Sequence, residues 1–394
     1  MVISGLPRQT ESRATATKGD RMTQATVAAK ETNLDDASIQ WRDRPGDERF
    51  LSVRDLHENV AARHAHSQEF TLSSRVLGDN VKHQGDDRLV LAGRTGNAVF
   101  SNFAFGQLSG IAGAPAGYLR SLPAPITAVN LAWGLANRAN DSTKVLALPP
   151  NGRDGMVRAF TSETYGRIWD DQVTAALLEL EERTNGQWKV PAASYASKDP
   201  KRATTLYASD RDVWVMLVDD SHPIDFGNGD VLFKGFMVWN SEVGDSTFGL
   251  RTFYYRYVCD NRIVWGARVQ SELKIRHTSG GPARFAIQVA PALKEYSEES
   301  PAEIIEHISA AKRYAIPEAE KPQDVVAWLK NRGFGKEMAE TAVTLAEHEE
   351  GEGSSLNLWG IAQGITAAAR NVKYNDDRVR LEQQAGKILD MAVR

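Results

Sequence analysis

Residues 231–258 read VLFKGFMVWNSEVGDSTFGLRTFYYRYV: two runs rich in Val, Phe, Trp and Tyr, divided by Ser241-Glu242-Val243-Gly244-Asp245. Branched and aromatic side chains suit a pleated, half-buried surface, and a short break holding Gly and Asp turns two such runs into a hairpin. The spacing predicts strands over 231–239 and 247–258. Similar runs flank the pair at 204–208, 213–218, 262–265 and 272–277, so 203–277 is expected to form an antiparallel meander.

Beyond Pro282 the period changes. Helices are expected over about 283–297, 302–314, 322–332, 336–350, 356–371 and 376–392, with Pro282, Pro301, Pro317 and Pro322 at boundaries where a missing N–H costs least. Strands followed by helices, rather than alternating with them, argue for an α+β fold over a parallel βαβ architecture. That fold is a central antiparallel β-sheet with a mixed N-terminal region before it and a C-terminal helical bundle after it.

The N-terminal half is mixed. Ser52, followed three residues later by Asp55, reads as a helix N-cap with an acidic first turn. The helix it opens runs to about residue 68. Strands are expected at 71–76, 88–92, 98–100, 144–148 and 156–160, and helices at 102–112, 126–140 and 170–183, the last stopping at Asn185-Gly186. The first 40 residues are rich in Thr, Ala and Ser without apolar periodicity and are expected to be a disordered tail. The organisation expected is therefore 1–40 tail, 41–200 mixed α/β, 201–281 β core and 282–394 helical.

Composition narrows the class. The chain has 394 residues, 42% hydrophobic and 25% charged, with a formal net charge of −4. This is an ordinary globular balance, unlike that of a disordered chain, a collagen or a strongly basic nucleic-acid binder. Cys259 is the one cysteine, so no intramolecular disulfide can form, and a reducing cytoplasm is the expected compartment. No run approaches the roughly 18 apolar residues of a membrane span, so no membrane partner is expected.

Several catalytic and cofactor motifs are absent: G-x-x-x-x-G-K-[ST], H-E-x-x-H, paired C-x-x-C and G-x-S-x-G. Gly227-Asn228-Gly229 lacks the third glycine of a dinucleotide fingerprint and precedes a strand. His64 and His66 stand two apart on a helix, hence on different faces. Cys259 with His277 would suit a nucleophile and base, but a cysteine in a strand-like run is usually buried and inert. Asp219, Asp220, His222 and Asp225 follow an apolar strand, where carboxylates with a histidine can hold Mg²⁺ or Mn²⁺. The same residues also suit a solvated turn capped by Asp.

Charge is unevenly distributed. The balance is zero over 1–100, −4 over 101–245 and −5 over 291–394, whereas 246–290 carries seven cations against two acids, or +5. Aromatic residues are interleaved with those cations. Arg251, Arg256, Arg262 and Arg276 are candidates for phosphate contacts, and Tyr254, Tyr255 and Tyr257 for stacking on bases, which together suit a single-strand-binding sheet. The alternative is a two-sided strand whose aromatics enter the core and whose arginines pair with the acidic flanks.

Three segments occur in order: Gly235-Phe236-Met237-Val238-Trp239-Asn240-Ser241-Glu242, then Tyr257-Val258-Cys259-Asp260-Asn261-Arg262, then Ile275-Arg276-His277-Thr278. With Asn357-Leu358-Trp359 and Gly364-Ile365-Thr366 they resemble the phage/plasmid-like family known as domain of unknown function family 932, over roughly 41–392. Gln363-Gly364 stands where that family more usually has Asn-Ala, so no role of that asparagine carries over. The resemblance implies a home on phages, plasmids and integrated elements and no agreed activity.

The leading expectation is a non-enzymatic protein that binds single-stranded DNA or RNA through the basic-aromatic sheet, with no cofactor named. The alternatives are a metal-dependent nuclease at Asp219, Asp220, His222 and Asp225, or a homo-oligomeric assembly protein forming a ring or filament.

Overall fold

The computed structural model describes residues 46–85, 87–94, 96–138, 141–150, 154–190, 204–219, 221–225, 231–256, 261–263, 272–372 and 375–392. The expected tail over 1–40 lies outside them, as do Asp220, Tyr257 and Cys259.

The chain enters through the two-residue strand β1 (Arg49–Phe50) and α1 (Val53–His66). Ser52 caps α1 by accepting the Asp55 N–H at 3.0 Å, as its sequence position predicts. Then come β2 (Gln68–Ser73), α2 (Ser74–Asn80), β3 (Val81–Gln84), β4 (Arg88–Gly93) and β5 (Gly96–Phe100). Three helices follow, α3 (Asn102–Ala112), α4 (Ala116–Leu119) and α5 (Ala124–Ala136), then β6 (Ser142–Leu148) and β7 (Gly155–Ser162). Strands β2 to β7 form a six-stranded sheet of order β2-β6-β7-β5-β4-β3. Its β5–β7 pair is parallel and its other pairs antiparallel. The apolar faces of α2, α3 and α5 cover it, burying Leu77, Leu108, Leu131 and Leu135 against Val145 and Val157. Ile126, Val129 and Trp133 lie on the other face of α5 and stay exposed.

Next come α6 (Asp170–Arg183) and β8 (Trp188–Lys189). Asn185 and Gly186, both at positive φ, end α6 as their sequence predicts. The central sheet follows: β9 (Leu206–Ala208), β10 (Val213–Asp219), β11 (Ile224–Asp225), β12 (Val231–Asn240), β13 (Phe248–Arg256), β14 (Asn261–Ile263) and β15 (Glu272–Ile275). Its main path is β1-β9-β10-β12-β13-β14, with β8 on β10, β11 on β12 and β15 on β13, every pair antiparallel. The expected meander is present, extended by β1 and β8 from earlier in the chain.

Period-2 alternation splits β10. Val213, Val215 and Leu217 face a core shared with α1 and α6, while Trp214, Met216 and Val218 join Met237 and Phe253 on the other face. Because both faces are buried, the strand is apolar at six consecutive positions. On that second face aromatic rings lie over cross-strand glycines. Phe253 is the register partner of Gly235 and Trp239 that of Gly249. A Cβ at either glycine would clash with the ring, 2.3 Å from Phe253 and 2.0 Å from Trp239.

The remaining chain is helical: α7 (Gly281–Glu298), α8 (Pro301–Arg313), α9 (Pro322–Lys330), α10 (Lys336–Glu350), α11 (Leu358–Ala369) and α12 (Asn375–Leu389). All six sit within a few residues of their predicted bounds. Helix α7 returns to the central sheet and inserts Phe285, Val289, Leu293 and Tyr296 into the core under β12 and β13. Of the other five, α11 is buried at every residue, packed chiefly against α10, α12 and α8. Gly364 lets α11 approach α10 so closely that a Cβ there would lie 2.0 Å from the Ala342 carbonyl oxygen. The small residues of α11 therefore serve packing inside the fold.

Candidate functional site

The residues expected to contact nucleic acid divide into two groups. Arg251, Arg256 and Tyr254, on β13, are 7%, 6% and 1% exposed. Arg251 pairs with Glu272 and lies over the Trp239 ring at 5.1 Å. Arg256 pairs with Glu350 of α10, lies over Trp359 and reaches Gln363 Oε1 at 3.4 Å. Tyr254 donates its hydroxyl to Glu299 Oε2 at 3.1 Å, and its burial pushes the phenol well above its ordinary value. These three do not face solvent, which corrects the expectation of phosphate and base contacts from β13. The reason is electrostatic. Glu350 of α10 pairs with Arg256, so the −5 segment offsets part of the +5 segment within the fold, while Arg251 takes Glu272 of β15, inside the basic segment itself, and Tyr254 takes Glu299 just past α7.

The second group is exposed. Lys274, Arg276 and Arg284 remain at the surface around the loop from β15 into α7. Arg284 donates to Thr278 Oγ1 at 2.9 Å and comes within 3.4 Å of the Arg276 carbonyl oxygen. Helix α7 follows the N-cap Gly280, with no side-chain cap and no acid in its first turn. The side chains of Tyr255 and Arg262, like Tyr257, lie outside the described residues.

At the end of β10, Asp219 is 1% exposed and accepts from Gln187 Nε2, from the Ser221 N–H at 3.1 Å and from His222 Nδ1 at 3.0 Å. Its oxygens thus cap a turn. His222 is exposed, and Asp225 lies on β11, exposed and paired with Val231. Among the described residues no three His, Cys, Asp or Glu side chains meet in a group able to hold a metal ion. His64 and His66 point apart, as expected. His64 Nδ1 reaches Asp171 Oδ2 at 2.8 Å and its ring stacks on Trp169, while His66 turns back to the Ala62 carbonyl.

The densest polar constellation was not foreseen. It lies where the two sheets meet, and it is built from the Asn240-Ser241-Glu242 and Arg276-His277-Thr278 segments together with residues 165–170. Glu242, 1% exposed, accepts Arg158 Nη1 at 2.5 Å and the Asp170 N–H at 3.2 Å, and pairs with Arg63 Nε at 3.2 Å. Asp170, fully buried, pairs with Arg63 Nη2 at 2.7 Å and accepts Asn240 Nδ2 at 2.7 Å. Arg167 donates to Glu69 Oε2 at 2.8 Å and to the Glu242 carbonyl, with its guanidinium over Tyr165 and Trp169. Tyr165 donates to the Ser241 carbonyl at 3.0 Å and stacks on His277 at 5.1 Å. From α3, Gln107 grips the same turn by donating to the Val243 carbonyl and accepting the Phe160 N–H, both at 2.9 Å. Gly166 lets this segment pass the next strand, since a Cβ there would lie 1.9 Å from the Thr278 carbonyl oxygen.

The electrostatics separate the two acids. Burial pushes the Asp170 carboxyl up to about 8, and the Glu242 charge adds to that rise, against the pull of Arg63 and the Asn240 amide. Burial by itself would also raise Glu242, but Arg158 and Arg63 overcome it and hold this carboxyl below the ordinary glutamate value. Burial lowers His277 to about 4, with Arg167 adding to the effect, so its imidazole is neutral at pH 7. One carboxyl raised beside another kept ionised is an acid–base pattern. Here, however, Asp170, Glu242 and Arg158 are at most 2% exposed, so the arrangement acts as an ionic joint between the sheets. Nothing short of the tertiary structure could reveal it, because its members span residues 63 to 277.

Residues 196–389 match the model of the family described as Domain of unknown function (DUF932). This is the family that the sequence motifs resemble. No curated protein and no solved structure matches the chain.

Proposed function

We propose that this protein binds single-stranded nucleic acid at the loop joining β15 to α7, in the replication or recombination of a mobile element. One observation carries the reading. Of the seven cations in the basic segment, the described ones left exposed are Lys274, which pairs with Glu272 at 2.7 Å, and Arg276 and Arg284, which flank the start of α7, where the N-cap makes no side-chain hydrogen bond. The positive end of the helix dipole and two guanidinium groups suit phosphate oxygens. The mobile-element setting comes from the family resemblance alone.

The test is fluorescence anisotropy with labelled single-stranded oligonucleotides, titrated with salt. The double variant Arg276→Ala/Arg284→Ala should bind more weakly, and its log–log salt slope should be shallower by about 1.4, from roughly 0.7 per single-strand phosphate contact. Absence of binding even near 50 mM salt, or an unchanged slope in the double variant, would rule the reading out.

A further inference from the structure

The six-stranded sheet and its covering helices leave a cleft of about 340 Å³ between the β4–β5 hairpin and the segment from α3 to the start of α5. Its apolar lining includes Phe100, Phe105 and Leu119, and Asp87, Arg88 and Arg120 add charge. The volume is at the small end of ligand sites, enough for a one- or two-ring aromatic body.

The cations are not equivalent. Arg88 pairs with Asp154. Arg120 is exposed and has no carboxylate partner among the described residues. It donates to the Asn102 carbonyl at 3.0 Å and lies over the Phe105 ring at 5.0 Å. A guanidinium stacked on one face keeps its other face and its remaining N–H groups for a second flat group and an anion. Phe100 is held by Phe160, with ring centroids 6.0 Å apart, so the apolar wall of the cleft is pre-formed. Ordered apolar walls beside one uncommitted guanidinium suit one ligand chemistry, a flat ring that carries a negative charge.

We propose that this cleft binds a small aromatic anion, whose ring lies among Phe100, Leu119 and the Arg120 guanidinium and whose charge is met by Arg120. Two sources share that chemistry: a mononucleotide and a free aromatic carboxylate. Asp87 on the rim opposes the anion, so its removal strengthens binding. The site is separate from the loop at the start of α7, and Arg276→Ala/Arg284→Ala leaves it intact.

Isothermal titration with adenosine 5′-monophosphate and with indole-3-acetate, each beside its uncharged counterpart (adenosine, indole), tests the proposal. At least one anion is expected to saturate the protein with a Kd near or below about 1 mM. Its uncharged counterpart should bind about tenfold more weakly, Arg120→Gln should weaken the anion by about tenfold, and Asp87→Asn should tighten it. Whichever anion binds more tightly identifies the source. Arg120 is at the surface, so its variant keeps the fold, which circular dichroism verifies. The proposal is overturned if neither anion saturates, if the uncharged compounds bind equally well, or if Arg120→Gln binds the anion unchanged.

Discussion

Replacing Glu242 with glutamine tests whether the buried joint holds the two sheets together. The substitution preserves shape and one acceptor oxygen but removes the charge that Arg158 and Arg63 share. Arg158 is 2% exposed and has no path to water as a substitute. Removing one partner of a buried ion pair generally costs about 3–5 kcal/mol. Asp170 moderates the loss. Without the neighbouring Glu242 charge its carboxyl ionises more readily and becomes the counter-ion of Arg63 and Arg158, so the lower end, about 3 kcal/mol, is expected. With a urea m-value of about 3 kcal/mol/M, the unfolding midpoint should fall by roughly 1 M. Tryptophan fluorescence can follow the transition, since Trp169 packs beside the joint. Replacing Arg158 by methionine in the same chain should restore part of the stability, because no uncompensated pair remains. A single-variant loss below about 1 kcal/mol, the size of a surface pair, would refute the joint.

Other expectations follow from the same geometry. Asp170 is raised in the folded state to about 8, so between its unfolded value near 4 and about 8 the folded chain binds the extra proton. Its contribution is therefore complete below pH 4 and is lost as pH rises toward 8. Asp170→Asn should flatten the stability profile over that window in urea melts at several pH values. Lys234, a buried lysine that burial lowers, donates to the Tyr296, Ser297 and Glu299 carbonyls at the end of α7. Lys234→Met should cost about 1–3 kcal/mol in unfolding free energy, and hydrogen exchange should show the last turn of α7 opening earlier. Gly166→Ala has no room beside Thr278 and should lower thermal stability by the equivalent of about 1–3 kcal/mol. A full-stability alanine variant in differential scanning calorimetry would contradict the close approach.

Local pattern accounts for the elements that sequence alone located. The Ser52 cap, the stop at Asn185-Gly186, the Ser241–Asp245 turn and the three C-terminal helices that open on a proline (α7, α8 and α9) all depend on interactions within a few residues. The same is true of the β10 run, whose unbroken apolarity marks a strand buried on both faces. The strand expected at 71–76 becomes β2 up to Ser73 and then α2. There Ser73 caps a helix whose Leu77 enters the core between sheet and helices, a tertiary contact that no local propensity encodes. Charge was legible as a segmental imbalance, but not as exposure. Arg251 and Arg256 look the same in sequence as Arg276, and only the positions of Glu272 and Glu350 distinguish them.

The sequence by itself determined the order of elements, the α+β class, the antiparallel core and the family resemblance, because periodicity, caps and motif order are short-range properties of the chain. Tertiary structure alone decided which cations face solvent, joined residues 63, 158, 170 and 242 into one buried ionic joint, and opened the cleft beside Arg120. Pairing and desolvation depend on distances through space between residues far apart in the chain. A linear pattern carries the charge of each residue but not the neighbour that neutralises it.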